Sequence, residues 1–337
     1  MNQWPSWLPL RQNLQELSPY GAPQLPADAV MNTNENPYPP SAALAKAIAD
    51  RVSDVALTLN RYPDRDAVVL RAKLADFING LSKTNFTSAN VWAANGSNEI
   101  IQSLFMAFGG GAALGFTPSY SMHPLIAKVT QVQWLNGNRR EDFTLDIDSA
   151  IEQIQRDKPT LTFITTPNNP TGSAVTIEEI EKIAKSTSGL LIVDEAYAEF
   201  SDETSAATLI EKYPHIVVIR TMSKAFAFAG VRLGYLIADP AVVDAMFLVR
   251  LPYHLSALTQ AAAEVALDYK GELLGTVAQL RADRDRVAAQ LSEMGLTVIP
   301  SSSNFLLFTG FEMPSAQLWQ AMLDRGVLIR DVGLLGY

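Results

Sequence analysis

The sequence predicts an α/β fold, a mostly parallel sheet covered by helices, with a smaller α+β lobe toward the C-terminal end. Three observations lead there. The chain has 337 residues, too many for one hydrophobic core of ordinary size. Through its middle, short apolar runs bounded by turn residues alternate with helical stretches, the pattern of strands buried on both faces. Apolar residues make up 48% and charged ones 18%, the balance of a packed protein rather than a disordered one.

The elements follow in chain order. Residues 1–40 are rich in Pro, Asn and Tyr ("SPYGAPQLPADAVMNTNENPYPP") and have no helical or strand period, so they read as an N-terminal arm, of a kind that often reaches a partner subunit. Helical spacing runs over 41–57 and again over 65–80, separated by the turn "NRYPDR", which holds Tyr62. Then come the strand-like runs "VWAA", "AALGF", "VQWL", "TLTFITT", "LLIVD", "HIVVIR" and "RLGYLIA". Among the intervening helices, "TIEEIEKIAKS" carries Thr176 and Glu179 at capping-box spacing. After Pro240 the helices lengthen, notably over 272–295, and two strands, a helix and a last strand "VLIRD" follow. The expected division is an arm at 1–40, a large domain at 41–250 and a small C-terminal domain at 251–337.

Composition narrows the function. A formal net charge of -9 argues against a sequence-independent grip on nucleic acid or anionic membrane, since both need a basic surface. The absence of cysteine excludes disulfides, thiolate catalysis and zinc-cysteine sites, and suits a reducing cytoplasm. The N-terminus lacks a basic region followed by an apolar stretch, and no apolar run is long enough for a bilayer, so the expectation is a soluble, cytoplasmic protein. His123, His215 and His254 are scattered without metal-ligand spacing, so no metal site is expected.

In open α/β sheets ligands bind beyond the carboxyl ends of the strands, and four strand ends carry polar residues. "AANGSNEI" enters a helix through Gly96, Ser97 and Asn98, where free N–H groups and the helix dipole suit a phosphate, although a plain capped helix start explains the same residues. "TTPNNPTG" brackets Asn168 and Asn169 with prolines that would hold an amide rigidly, although turn chemistry alone also favours Asn there. "LLIVDEAYAEF" ends an apolar strand in Asp194 and Glu195, with Tyr197 following, and a carboxylate emerging from such a strand needs a specific partner. A nucleotide-hydrolysing reading of that acid fails, because no Gly in the chain is followed by Lys as a phosphate loop requires. "RTMSKAFAFAGVRLGY" ends its strand in Thr221, Ser223 and Lys224. Most lysines sit at the surface, but this one stands among small and aromatic apolar residues, where desolvation favours the neutral, nucleophilic amine. A phosphate cradle, an acid, hydrogen-bond donors and an imine-forming amine are together what pyridoxal phosphate needs. Arg232, eight positions after Lys224, supplies a guanidinium fork for its phosphate.

With these residues in place, the chain resembles the fold-type I, aspartate-aminotransferase-like enzymes, and within them the histidinol-phosphate aminotransferases. The resemblance rests on "NTNENPYPP", "NRYPDRDAVVLR", "AANGSNEI", "TTPNNPTG", "VDEAYAEF" and "RTMSKAFAFAGVRLGY", met in the family's order over essentially the whole chain. It implies that Lys224 holds pyridoxal phosphate covalently and then moves the substrate's α-proton. It further implies that Asp194 pairs with the ring nitrogen, that Asn169 and Tyr197 bond the ring's phenolic oxygen, and that Tyr120 stacks on the ring. The phosphate would take Ser97, the Asn98 backbone, Thr221, Ser223 and Arg232, with Tyr62 supplied by the other subunit of a homodimer. The implied reaction is transfer of the amine of histidinol phosphate to 2-oxoglutarate in histidine biosynthesis, with Tyr20, Asn98, Tyr253 and Arg330 as candidate substrate residues. The resemblance also implies a further arginine after the segment matching "RDVG", and the sequence ends at Tyr337 before it, so an incomplete small domain with reduced turnover is expected. The alternatives are an aromatic amino acid aminotransferase of the same fold and a truncated protein that binds the cofactor without turnover.

Overall fold

The apolar runs pair into one sheet because strands covered on both faces have nowhere else to place their side chains. The computed structural model describes residues 4–337. The arm contains a short helix α1 (Gln12–Gln15) and a two-residue strand β1 (Ala29–Val30), followed by helices α2 (Ala42–Ala56) and α3 (Val68–Ser82). Next come β2 (Val91–Ala94), α4 (Ser97–Phe108), β3 (Ala113–Thr117), α5 (Met122–Thr130), β4 (Trp134–Asn138), α6 (Ile147–Asp157) and β5 (Leu161–Thr165). The chain continues through α7 (Ile177–Ser186), β6 (Leu190–Asp194), β7 (Ile216–Thr221), β8 (Gly234–Ile237), α8 (Pro240–Val249), α9 (Ala257–Asp268) and the long α10 (Lys270–Glu293). It closes with β9 (Thr297–Val298), β10 (Phe308–Thr309), α11 (Ser315–Leu323) and β11 (Val327–Leu328).

Seven strands form the central sheet in the order β2-β8-β7-β6-β5-β3-β4. All seven expected runs are in it. Neighbours from β4 to β7 are parallel, whereas β8 runs antiparallel to both β7 and β2. A loop without a crossover helix joins β7 to β8, and such a connection returns the chain in the opposite direction. Helices α4, α5 and α8 bury Ile100, Ile101, Leu104, Ile126, Val243 and Met246 against one face of the sheet. Leu44, Leu70, Leu74, Ile78, Ile154 and Ile183 from α2, α3, α6 and α7 pack on the other. The capping box at α7 forms as the spacing predicts, with Glu179 N–H donating to Thr176 Oγ1 at 3.3 Å and Thr176 N–H donating to Glu179 Oε2 at 2.9 Å.

The arm has more structure than its composition suggests. Arg11 and Asn13 donate to the carbonyls of Val129 and Lys128 at 2.9 and 2.6 Å, seating α1 on the end of α5. Further on, β1 pairs in parallel with β11, so the beginning and end of the chain share a small sheet. Among the described residues no helix is long and apolar enough to cross a membrane.

Candidate active site

The order of strands locates the site before any side chain is considered. From β3 the chain steps outward to β4, then crosses back to β5 and continues through β6 and β7 in the other direction. Such a reversal opens a crevice between the carboxyl ends of β3 and β5, the usual ligand position in open α/β sheets. Tyr120 follows β3 and Asn169 follows β5, on either side of that reversal. Two antiparallel steps restore the direction of β7 in β2, so Gly96, Ser97 and Asn98 emerge at the same edge.

Lys224 lies just past β7, and its ammonium donates to the Thr33 carbonyl at 2.6 Å. Its Nζ stands 5.8 Å from the centre of the Tyr197 ring. Burial is the main cause of a pKa lowered to about 8; Glu35 opposes the shift and Arg232 adds to it. The amine is therefore held in the body of the protein, not extended into solvent like an ordinary surface lysine.

Asp194 ends β6 and is 2% exposed. One carboxylate oxygen lies 3.1 Å from Nε2 of His123, itself buried, and the other accepts the Ala196 N–H at 3.2 Å. His123 was legible only as a scattered histidine. A signal was nonetheless present, since it sits one helical turn after Tyr120 at the start of α5, behind the β3 strand end. Tyr197 is also buried, and its phenol oxygen accepts from the side-chain amides of Asn34 at 3.2 Å and Asn169 at 3.1 Å. Two N–H groups on that oxygen leave its own proton to donate elsewhere. Burial is the main cause of the Tyr197 pKa rising to about 12, which keeps the phenol protonated at neutral pH.

The two asparagines of "PNNP" have different jobs. Asn168 is fully buried, with its amide donating to the Pro118 carbonyl at 3.0 Å and Thr171 Oγ1 at 2.8 Å and its side-chain oxygen accepting from Ser119 at 2.8 Å. It ties the loops after β3 and β5 together, the turn-type role that sequence kept open for it, while Asn169 faces Tyr197.

At the β2 end, Gly96 caps α4 with φ 81° and ψ 167° and no side-chain hydrogen bond. That backbone region is essentially restricted to glycine. A Cβ there would fall 2.6 Å from Nη2 of Arg232, so the guanidinium lies directly against the helix start. Gly234 at the start of β8 makes the second close approach, since its Cβ would collide with the Ser97 backbone nitrogen. Arg232 donates to the Ala229 carbonyl at 2.9 Å and reaches Ser223 Oγ at 3.5 Å, while Thr221 and Ser223 hydroxyls lie 3.0 Å apart. Tyr120 donates to the side-chain oxygen of Asn98 at 3.2 Å, and burial raises its pKa. Helix amides, two hydroxyls and a guanidinium thus face one region, the composition of an anion cradle.

The remaining candidates divide into two pairs. Arg330 stands over the Tyr20 ring at 6.0 Å, and Tyr20 is close enough to Tyr120 and Tyr197 to raise their pKa values. Tyr62 and Tyr253 stack on each other at 4.4 Å, with Tyr62 80% exposed and no hydrogen bond from either to the Lys224 group among the described residues. The arm supplies residues that sequence reasoning did not assign: Thr33 and Asn34 as above, and Asn36, which bonds the Ala225 carbonyl at 3.2 Å and Thr276 Oγ1 at 3.0 Å. Three asparagines in "NTNENP", within a stretch lacking any period, were the signal that this segment needs polar partners.

Comparison with known proteins adds an independent line. A model of the family "Aminotransferase class I and II" matches residues 29–336. The histidinol-phosphate aminotransferase of Corynebacterium glutamicum (strain R) is 56% identical over 333 residues, covering 98% of this chain and 91% of that protein. The one from Mycobacterium sp. (strain JLS) is 54% identical over 334 residues, covering 98% of this chain and 88% of that protein. Among solved structures, the Sinorhizobium meliloti histidinol-phosphate aminotransferase in complex with pyridoxal-5'-phosphate superposes with a TM-score of 0.84 at 23% identity, over 97% of this chain and 90% of that one.

Proposed function

The chain belongs to the class I and II aminotransferases, and from that premise we propose that it transfers the amino group of histidinol phosphate to 2-oxoglutarate, with pyridoxal phosphate as cofactor. The products are imidazole-acetol phosphate and glutamate, which places the reaction in histidine biosynthesis. The observation that carries the reading of the site is a half-buried amine just past the end of β7, its pKa lowered to about 8, with the buried Asp194 carboxylate at the end of the neighbouring parallel strand β6. The choice of donor is supported by relatives 54–56% identical that carry that activity in their names.

The donor set fits the cofactor. Its aldehyde would meet Lys224, its ring nitrogen Asp194, its phenolic oxygen Tyr197 and Asn169, its ring face Tyr120, and its phosphate Ser97, Asn98, Thr221, Ser223 and Arg232. When bound, pyridoxal phosphate supplies an electron-accepting ring and a temporary store for the amino group. The protein's own residues do the rest. Asp194, backed by His123, keeps a proton on the facing nitrogen, because a buried carboxylate stabilises a cation beside it. The Tyr197 phenol keeps its proton and donates it as a hydrogen bond. Lys224 Nζ, neutral in part near pH 8, takes and returns the proton at the substrate's α-carbon. Ser97, Thr221, Ser223 and Arg232 fix position through charge-assisted bonds. Tyr20 and Arg330 are assigned to the substrate's own polar groups.

A homodimer is part of the proposal. Tyr62, Leu57, Leu248 and Leu251 are largely exposed, and the two segments that bear them are held together by Arg250, which donates to the Arg65 carbonyl at 2.6 Å and pairs with Asp66. Together they present an apolar surface suited to a second copy, from which Tyr62 would reach the partner's phosphate site.

The test is to load the protein with pyridoxal phosphate, reduce it with borohydride and map the attached group by mass spectrometry, then to measure glutamate formation from histidinol phosphate and 2-oxoglutarate. Attachment at Lys224 and a kcat/KM for histidinol phosphate at least tenfold above that for phenylalanine are expected. Attachment at another lysine refutes the site, and a preference for phenylalanine refutes the donor.

A further inference from the structure

Side chains alternate across a strand, so the residues next to the site point to the opposite face of the sheet. There Arg220 of β7 lies in register with Tyr235 of β8, and Glu195, the residue that follows β6, meets it from the other side. The Arg220 fork gives Nε and Nη2 to one oxygen of Glu195 at 3.0 and 2.6 Å, and Nη1 to Glu199 at 3.0 Å. All three side chains are no more than 6% exposed. The Glu195 carboxylate further accepts Ser205 Oγ and the Ala206 N–H, both at 2.7 Å.

Stability is a poor account of this cluster. Buried ion triads seldom outperform apolar residues of the same volume, and this one holds two acids against one base. It also leaves Glu199 Oε2 and the Tyr235 hydroxyl buried without a hydrogen-bond partner among the described residues. What the arrangement does fix is geometry. Its two carboxylates come from two residues before and two residues after Tyr197, on a tight turn closed by the Ala198 N–H to Glu195 and the Phe200 N–H to Tyr197. The guanidinium comes from β7, one residue before Thr221 ends that strand and four before Lys224.

We propose that Arg220 is a positioning residue: by gripping Glu195 and Glu199 on both sides of Tyr197, it sets the Tyr197 phenol relative to Lys224 and so tightens binding of pyridoxal phosphate. The proposal deepens the cofactor reading above and rests on it. Lysine cannot reproduce the planar fork, so Arg220→Lys keeps the charge and loses the two-sided grip.

The experiment is a double-mutant cycle on the pyridoxal phosphate dissociation constant, measured by titrating cofactor-stripped protein, with Arg220→Lys and Glu199→Gln each made in the parent and in Tyr197→Phe. In the parent, Arg220→Lys raises the constant about tenfold and Glu199→Gln about threefold. In Tyr197→Phe both effects shrink to less than twofold, a coupling that a merely structural role would not produce. Equal losses in both backgrounds, or no loss in either, overturn the proposal. Should Arg220→Lys fail to fold, Glu199→Gln, which keeps the side-chain volume, decides by the same two outcomes. A parent that does not bind pyridoxal phosphate overturns the cofactor reading as well, whereas a binding parent with uncoupled variants overturns the positioning role alone.

Discussion

Gly96→Ala tests the anion cradle at its tightest point. The substitution adds one methyl group where the backbone has φ 81° and ψ 167°, a region that costs an L-residue on the order of 1–3 kcal/mol. The new Cβ would also lie 2.6 Å from Nη2 of Arg232, and the end of a side chain yields before a backbone does, so the guanidinium moves. Two separable effects follow. Cofactor-free protein should lose about 1–3 kcal/mol of stability, lowering Tm by roughly 1–4 °C for a chain of this length. Pyridoxal phosphate should bind more weakly by the value of a hydrogen bond to a charged group, about 1.5–3 kcal/mol, which is on the order of 10- to 150-fold in Kd. The assay is thermal unfolding with and without the cofactor, together with fluorescence titration of the stripped protein. Gly230→Ala is the control, because nothing lies within 4 Å of a Cβ there and it should change Tm and Kd little. The reasoning is refuted if Gly96→Ala melts with the parent and binds pyridoxal phosphate within twofold of it.

Three further outcomes are expected. In trace acetylation of cofactor-free protein followed by mass spectrometry, Lys224 should reach half its maximal reactivity near pH 8, because its lowered pKa leaves it neutral at a pH where Lys212, raised by its bond to Glu181, is still protonated; a midpoint above pH 10 would show that Lys224 is solvated. His123→Ala removes the partner of a buried Asp194 oxygen and should cost about 1–3 kcal/mol in urea unfolding, with an unchanged midpoint counting against the contact. In sedimentation the protein should run at twice its chain mass of 36.7 kDa and shift toward one chain in Leu248→Asp with Leu251→Asp, and a parent that sediments as a single chain would remove the proposed partner surface.

How much was legible beforehand depends on where each residue's partners lie. Runs such as "LLIVD" and "HIVVIR" announce themselves as strands because both of their faces are buried, which leaves an unbroken apolar signal. The direction of β8 carried no such signal, since apolarity is the same for either pairing. Lys224 stood out because its chain neighbours are apolar, yet the carbonyl that holds it belongs to Thr33, 191 residues away. Glu195 was noticed only as the neighbour of Asp194, and Arg220 passed as strand composition, because their meeting depends on register between β6 and β7. His123 was dismissed with the other histidines for want of metal spacing, a test that cannot detect a histidine serving a carboxylate.

The residues facing the crevice are drawn from strand ends scattered between Ser97 and Arg232, with the arm closing over them. An unfolded chain therefore offers the cofactor nothing beyond isolated lysines. Colour in the holoprotein and resistance to heat become two readings of a single quantity, the intactness of the central sheet. By mass action, a hundredfold excess of ligand over its Kd defends that sheet with about 2.7 kcal/mol. Vitamin supply in the cell would thus govern how long each molecule survives, not only how fast it works.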